Sequence, residues 1–219
     1  MNDVPPPPPP YGAVPPGGGG PDVGAALSYG FSKYFANLGP VLGVIAVSLV
    51  AQILFQIIQL SVSSLVVRGL FSIVGFVVSA MLSIGVYKTA LMLTAGETPT
   101  VGKAFTYDRW GEWISFAIVY SLIVAVGFIL CIIPGLIALA FFGMAPYFFL
   151  DRGMTLGQAL TASREAATSR GFAFPVLLSV IVGALGLIAC FIGVFVTAPA
   201  AYIAVAFLYR NASGQPVAP

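Results

Sequence analysis

Residues 40–60, PVLGVIAVSLVAQILFQIIQL, carry no charge, and their only polar side chains are Ser48, Gln52, Gln56 and Gln59. A helix needs about 20 residues to cross a hydrocarbon core about 30 Å thick, so this stretch reads as a transmembrane span. Further apolar runs follow at 70–93, 114–133, 136–150, 172–191 and 193–209. The fold class they predict is all-α: a polytopic membrane helical bundle of six transmembrane helices. Run 136–150 is short and follows a turn at Pro134-Gly135. It reads as a full span borrowing flanking residues, with a shallow re-entrant hairpin as the alternative. Pro146, Pro175 and Pro199, inside or near the ends of these runs, predict kinks rather than breaks, because neighbouring helices can satisfy the freed carbonyls.

Composition supports that reading and removes several function classes. Hydrophobic residues make up 59% of the chain and charged residues 7%, with mean hydropathy +1.02, whereas soluble domains carry about a quarter charged residues. A net charge of +2 from scattered basic residues lacks the dense positive footprint of a nucleic-acid binder. There is no His, and only Cys131 and Cys190 offer thiolates, so a zinc site would have to be built from carboxylates. No metal or cofactor is expected. Both cysteines lie in apolar runs, as buried uncharged thiols do. The N-terminus has no basic region leading into a short apolar core, so the first apolar run is a retained span and not a cleaved leader.

Residues 1–21 hold the prolines at 5–10, Pro15, Pro16 and the glycines at 17–20, a composition for an extended polyproline segment and a flexible linker. They read as a disordered cytoplasmic tail of low-complexity filler, with docking into an aromatic-lined groove of a partner as the alternative. Residues 211–219 read as a second disordered tail, leaving 22–210 as the membrane domain. Basic residues split eight to one across the linkers: Lys33, Lys88, Lys103, Arg109, Arg152, Arg164, Arg170 and Arg210 on one side, Arg68 on the other. Because basic residues near span ends stay on the cytoplasmic side, both termini are expected inside. Tyr87, Tyr107, Trp110, Trp113 and Tyr209 fall at the same ends, as an interfacial aromatic belt would.

A short pattern precedes each pair of spans: DVGAALS at 22–28, TVGKAFT at 100–106 and TLGQALT at 155–161. Each opens on a good N-cap residue and continues with apolar positions three and four apart. The architecture expected is three hairpin repeats, about 22–96, 100–153 and 155–210, each preceded by an interfacial amphipathic helix. In the first copy Val23, Ala26, Leu27, Phe31, Tyr34, Phe35 and Leu38 form a stripe suited to dipping toward the acyl chains.

Two sets of residues are site candidates. Ser48, Gln52, Gln56, Gln59 and Ser63 share one face of the first span, and unpaired amides in hydrocarbon are costly. The face is therefore either interhelical glue or one wall of a polar cavity. Lys33, Lys103, Arg109, Arg152, Arg164 and Arg170 are placed to meet anionic headgroups, at about 1 kcal/mol each. Asp108 and Glu112, four apart, invite an acid/base reading, but Arg109, Trp110 and Trp113 surround them and ion pairing is the commoner outcome. No span carries Asp, Glu, His or Arg near its middle, and Lys88 can snorkel, so proton-coupled mechanisms lose ground and no catalytic residue is assigned.

With these helix starts, the stretch from Pro146 through Asp151-Arg152-Gly153 to Leu156-Gly157-Gln158-Ala159-Leu160, and the closing Ala206-Phe207-Leu208-Tyr209-Arg210, the chain resembles a group of bacterial integral membrane proteins. That group is similar to the membrane domain attached to some glycerophosphodiester phosphodiesterases, and the Pro/Gly-rich leader looks like actinobacterial members. The resemblance implies a bacterial inner-membrane module. In the phosphodiesterases catalysis belongs to a separate soluble barrel, which the 219 residues do not accommodate, so no enzyme is expected. The function expected is a lipid-interacting or partner-binding membrane module. The alternative is a transporter or lipid-translocating component using the Gln/Ser face. The partners are membrane lipids and a protein reached through the Pro-rich tail or the cytoplasmic linkers. Gly183 with Gly186, and Ala200 with Ala204, permit close helix contacts within one chain or between two.

Overall fold

The structure, a computed structural model, describes residues 21–186 and 193–219; the Pro/Gly-rich leader up to residue 20 and Cys190 lie outside the described residues. The described residues form ten helices and no strand: α1 Val23–Ala36, α2 Leu38–Leu60, α3 Leu65–Ala95, α4 Val101–Phe105, α5 Trp110–Leu130, α6 Ile132–Phe142, α7 Ala145–Arg152, α8 Leu156–Ser169, α9 Ala173–Leu185 and α10 Val194–Ser213. Four of these, α2, α3, α5 and α10, are long and apolar enough to cross a membrane, as is the combined stretch Ile132–Arg152; α8 with α9, bent by 106°, makes a sixth if counted as one span. The protein is thus an all-helical, multi-pass membrane protein.

The three helix starts are each capped at their first turn, two by the N-cap side chain and the third by the side chain of the N3 residue. The Asp22 side chain accepts from the Ala25 N–H at 3.0 Å, Thr100 accepts from the Lys103 N–H at 3.3 Å, and Gln158 reaches back to the Thr155 N–H at 3.0 Å. The alanine two residues after the glycine in each pattern, Ala26, Ala104 and Ala159, is fully buried in all three. The helices that follow differ, since α4 ends after five residues while α1 and α8 have fourteen.

The expected stripe on α1 does not turn toward the acyl chains as a unit. Ala26, Gly30 and Tyr34, four apart and so on one face, are buried, and that face packs on α10, while Phe35 and Leu38 are exposed. A Cβ on Gly30 would lie 2.3 Å from the Ala200 carbonyl oxygen, so the two backbones nearly touch. A second such seam joins α9 to α10, where Gly183 faces Ala201 and Gly186 faces Thr197, whose hydroxyl donates to the Gly183 carbonyl at 2.8 Å. Both small-residue spacings are therefore used within the chain. They make α10 the central element, buried along most of its length from Pro199 to Ala212.

The proline expectations resolve individually. Pro146 accompanies a local interruption within one span: α6 ends at Phe142, two residues intervene, and α7 begins with Pro146 near its start, while Ile132–Arg152 stays a single membrane-crossing stretch. A proline has no N–H to give the carbonyl four residues back, here that of Phe142, and the ladder stops there. Pro175 lies in the first turn of α9 and Pro199 inside an uninterrupted α10. The turn expected at Pro134-Gly135 occurs earlier, at the extended Cys131. Pro134 sits in the first turn of α6, where a missing N–H costs nothing, and Cys131 is exposed, not buried.

Burial concentrates in the half of the bundle that carries the basic residues: the second half of α3, all of α7 up to Phe149 and the second half of α10. The opposite half presents Ile53, Leu54, Ile57, Leu65, Leu70, Ile129 and Ile133 outward, an apolar surface suited to lipid. The expected aromatic belt is partly core. Trp113 is buried with its indole N–H donating to the Ala80 carbonyl at 2.6 Å, and Tyr209 is buried with its hydroxyl on Asp151 at 2.5 Å.

Gly153 ends α7 with φ +59° and accepts from Arg109 Nη1 at 3.0 Å through its carbonyl. Left-handed geometry costs about 1–2 kcal/mol for a residue with a Cβ, and that Cβ would lie 3.1 Å from the same Nη1. Gly153→Ala is expected to lower stability by about 1–2 kcal/mol, read as an earlier thermal unfolding midpoint in detergent; an unchanged midpoint would count against the assigned turn.

Candidate functional site

At the basic end, helix ends converge and the cations meet carbonyls. The last carbonyls of a helix have no partner inside it, and at the end of α10 those of Ala212 and Ser213 accept from Arg170 and from Arg152, the latter at 2.9 Å. Arg210 is buried and donates to the Thr94 hydroxyl at 2.8 Å and to Gln215 Oε1 at 3.0 Å. The segment taken from sequence as a free tail is held here: α10 runs on to Ser213, the Ala218 N–H donates to the Thr94 carbonyl at 3.0 Å, and the Tyr29 hydroxyl donates to the Ala218 carbonyl at 2.9 Å. Burial raises the Tyr29 phenol above its usual value, only partly offset by the Arg210 charge, so it stays a protonated donor. Lys33 reaches the Pro219 carbonyl and lies 5.5 Å from the Tyr29 ring centre.

Of the six basic residues expected at headgroups, then, Lys33, Arg152 and Arg170 spend donors on this last segment. Arg109 pairs with Glu112, which holds its guanidinium pKa above the usual value, and also bonds Gly153. Lys103 and Arg164 are exposed and their side chains make no hydrogen bond among the described residues. The Arg109 pairing occupies one of the two carboxylates considered for acid/base chemistry. Among the described residues no three of His, Cys, Asp and Glu come together as a metal site.

The polar face of the first span divides. Ser48 is buried and satisfied inside its own helix, donating to the Val44 carbonyl at 3.0 Å. Gln59 bonds across to Ser72 of α3 at 2.8 Å. Gln52 and Gln56 are exposed, without a hydrogen-bond partner among the described residues, and Ser63 lies beyond the end of α2 in the turn to α3. Gln52, Gln56 and Gln59 line an open groove of about 210 Å³ with Ser72, Gly75 and Ser79 opposite. On its floor the Phe55 ring packs directly on Gly75, where a Cβ would lie 2.5 Å from the ring.

Sequence reading missed the α3 side of this groove and what continues from it. Ser72, Ser79, Ser83 and Tyr87 are spaced seven, four and four, which keeps them on one helical face. Ser79 also lines a second groove of about 210 Å³ with Ser83, Tyr87, Tyr120 and Ser121. Tyr87 and Tyr120 in turn line a third cavity, of about 350 Å³, among α3, α5, α6, α7, α9 and α10. A periodicity search applied to hydroxyl residues of the second span would have found the row. A chain of grooves with amide and hydroxyl groups but no charged lining residue can hold the uncharged part of an amphiphile through hydrogen bonds and apolar burial. Compared with protein-family models, curated proteins and solved structures, the chain matches none of them.

Proposed function

We propose that the protein is a non-enzymatic, lipid-interacting module of the bacterial inner membrane, with both termini cytoplasmic and its spans arranged as three hairpin repeats. The observation that carries the reading is the open α2–α3 groove. Gln52 and Gln56 sit exposed beside the exposed Ile53, Leu54 and Ile57; in hydrocarbon an amide without a partner costs roughly 2–7 kcal/mol. A membrane lipid satisfies both requirements, giving oxygen acceptors to the amides and a chain to the apolar rim. Lys103 and Arg164, exposed at the basic end, are the residues left for anionic headgroups, and the Pro-rich tail and linkers for a protein partner.

A translocating component is the second reading, supported by the grooves that succeed one another past Ser79 and Tyr87 of α3 and Tyr120 of α5. Cysteine substitution at Gln52, Gln56 and Leu54 in a Cys131→Ser, Cys190→Ser background separates the two. A lipid-filled groove is expected to protect positions 52 and 56 from a water-soluble thiol reagent as fully as position 54. Labelling at the rate of a cysteine at Ser63 would favour a wet pathway instead. In the same reading, Gln52→Leu with Gln56→Leu is expected to lower co-purifying lipid several-fold.

A further inference from the structure

The tyrosine-lined cavity is a different site from the α2–α3 groove. Four phenols, Tyr87, Tyr120, Tyr147 and Tyr202, converge on it from four helices. Tyr87 stands edge-on to both Tyr147 and Tyr202, with ring centres 5.3 and 5.2 Å away. The Tyr147 hydroxyl is committed, donating to the Tyr202 backbone carbonyl at 2.7 Å. The Tyr120 hydroxyl has no hydrogen-bond partner among the described residues, although it lies near the middle of a membrane span, ten residues from the start of α5. A hydroxyl in hydrocarbon seeks an acceptor.

The rest of the wall is Leu, Val, Ala and Gly with no charged side chain, so an ionised headgroup is excluded from it. Its volume of about 350 Å³ falls at the lower end of the range for small-molecule sites, about 300–1,000 Å³. Tyr202, 37% exposed, and Ala184, also exposed, both line it, so the cavity is not sealed inside the bundle. The two features together select a hydrocarbon chain carrying an uncharged oxygen.

We infer that this cavity binds the chain of a neutral membrane amphiphile, entered from the bilayer, with an uncharged oxygen accepting from Tyr120. The inference deepens the lipid-interacting reading and rests on it. The probe is a diazirine-bearing oleyl alcohol, photolysed with the full chain in nanodiscs, and labelled peptides are located by mass. Labels are expected on α9 and α10 around Ala184, Ala198 and Tyr202. Ala198→Phe, which fills the cavity, is expected to remove them. Tyr120→Phe keeps the ring and loses the hydroxyl, and is expected to raise the half-saturating probe concentration about five-fold, the worth of one hydrogen bond. Should Ala198→Phe fail to fold, as read by its elution profile, Tyr120→Phe decides. Labels confined to the α2–α3 groove, or cavity labels indifferent to both variants, overturn this inference and leave the lipid reading standing. Labelling that no excess of unlabelled oleyl alcohol reduces at either place overturns both.

Discussion

Gly30→Ala should be among the most damaging single-methyl changes available in this chain. The new Cβ would sit 2.3 Å from the Ala200 carbonyl oxygen and 3.2 Å from Ala204 Cβ. Because the first of these is backbone of the central helix, no side chain can rotate away to make room. Overpacking of this kind costs about 1–3 kcal/mol and occasionally more; we expect the upper part of that range, with α1 lifted from α10 and its buried Ala26 and Tyr34 exposed. Thermal unfolding in detergent, together with proteolysis near Lys33, reads both effects. Gly39→Ala is the matched control, since nothing lies within 4 Å of its added carbon, and alanine favours a helix over glycine by up to about 1 kcal/mol. If both variants unfold at the wild-type temperature, the α1–α10 seam is wrongly placed.

Arg210→Met is the second large effect. Arg210 is 8% exposed and ties three segments together, bonding Thr94 at the end of α3 and Gln215 in the last segment from its place on α10. Hydrogen bonds to a charged group contribute about 1.5–3 kcal/mol each, so a loss of roughly 3 kcal/mol is expected, with residues 214–219 released to protease. Arg210→Lys should recover little of this, because an ammonium cannot reproduce the fork that reaches both partners. A variant with wild-type stability and a protected last segment would show that the guanidinium holds nothing.

How far the sequence carried this picture depends on the kind of interaction. Span 40–60 is legible because hydrocarbon demands length and apolarity, and α2 matches it to within two residues at its start. The caps at Asp22, Thr100 and Thr155 are legible because an orphan N–H needs a nearby oxygen, a local relation. The small-residue seams were visible as spacings, but a gap says nothing about which helix fills it. The stop at Phe142 needed knowledge that no neighbour compensates Pro146. Least legible was the order in residues 211–219. Apart from the Gln215 side chain, which Arg210 bonds, they are held through their backbone, with carbonyls accepting from Arg152, Arg170 and Tyr29, and a carbonyl has no letter in the sequence. On the candidate site, Gln59 could be read from the first span, whereas its Ser72 partner and the phenols beyond it depended on how α3 and α5 rotate about their axes.

The pairing of α1 with α10 also bears on assembly. Synthesis delivers α1 first among the described helices and α10 last, so α1 emerges without the surface it will rest on and must lodge provisionally, at the headgroups or on a chaperone, until α10 arrives. Joining segments so distant in the chain is entropically only modestly worse than joining near ones, but it delays completion of the bundle until α10 has been made. A ribosome stalled before Val194 would therefore leave a set of inserted spans with no hub, exposing the glycine notch of α1 to quality-control machinery.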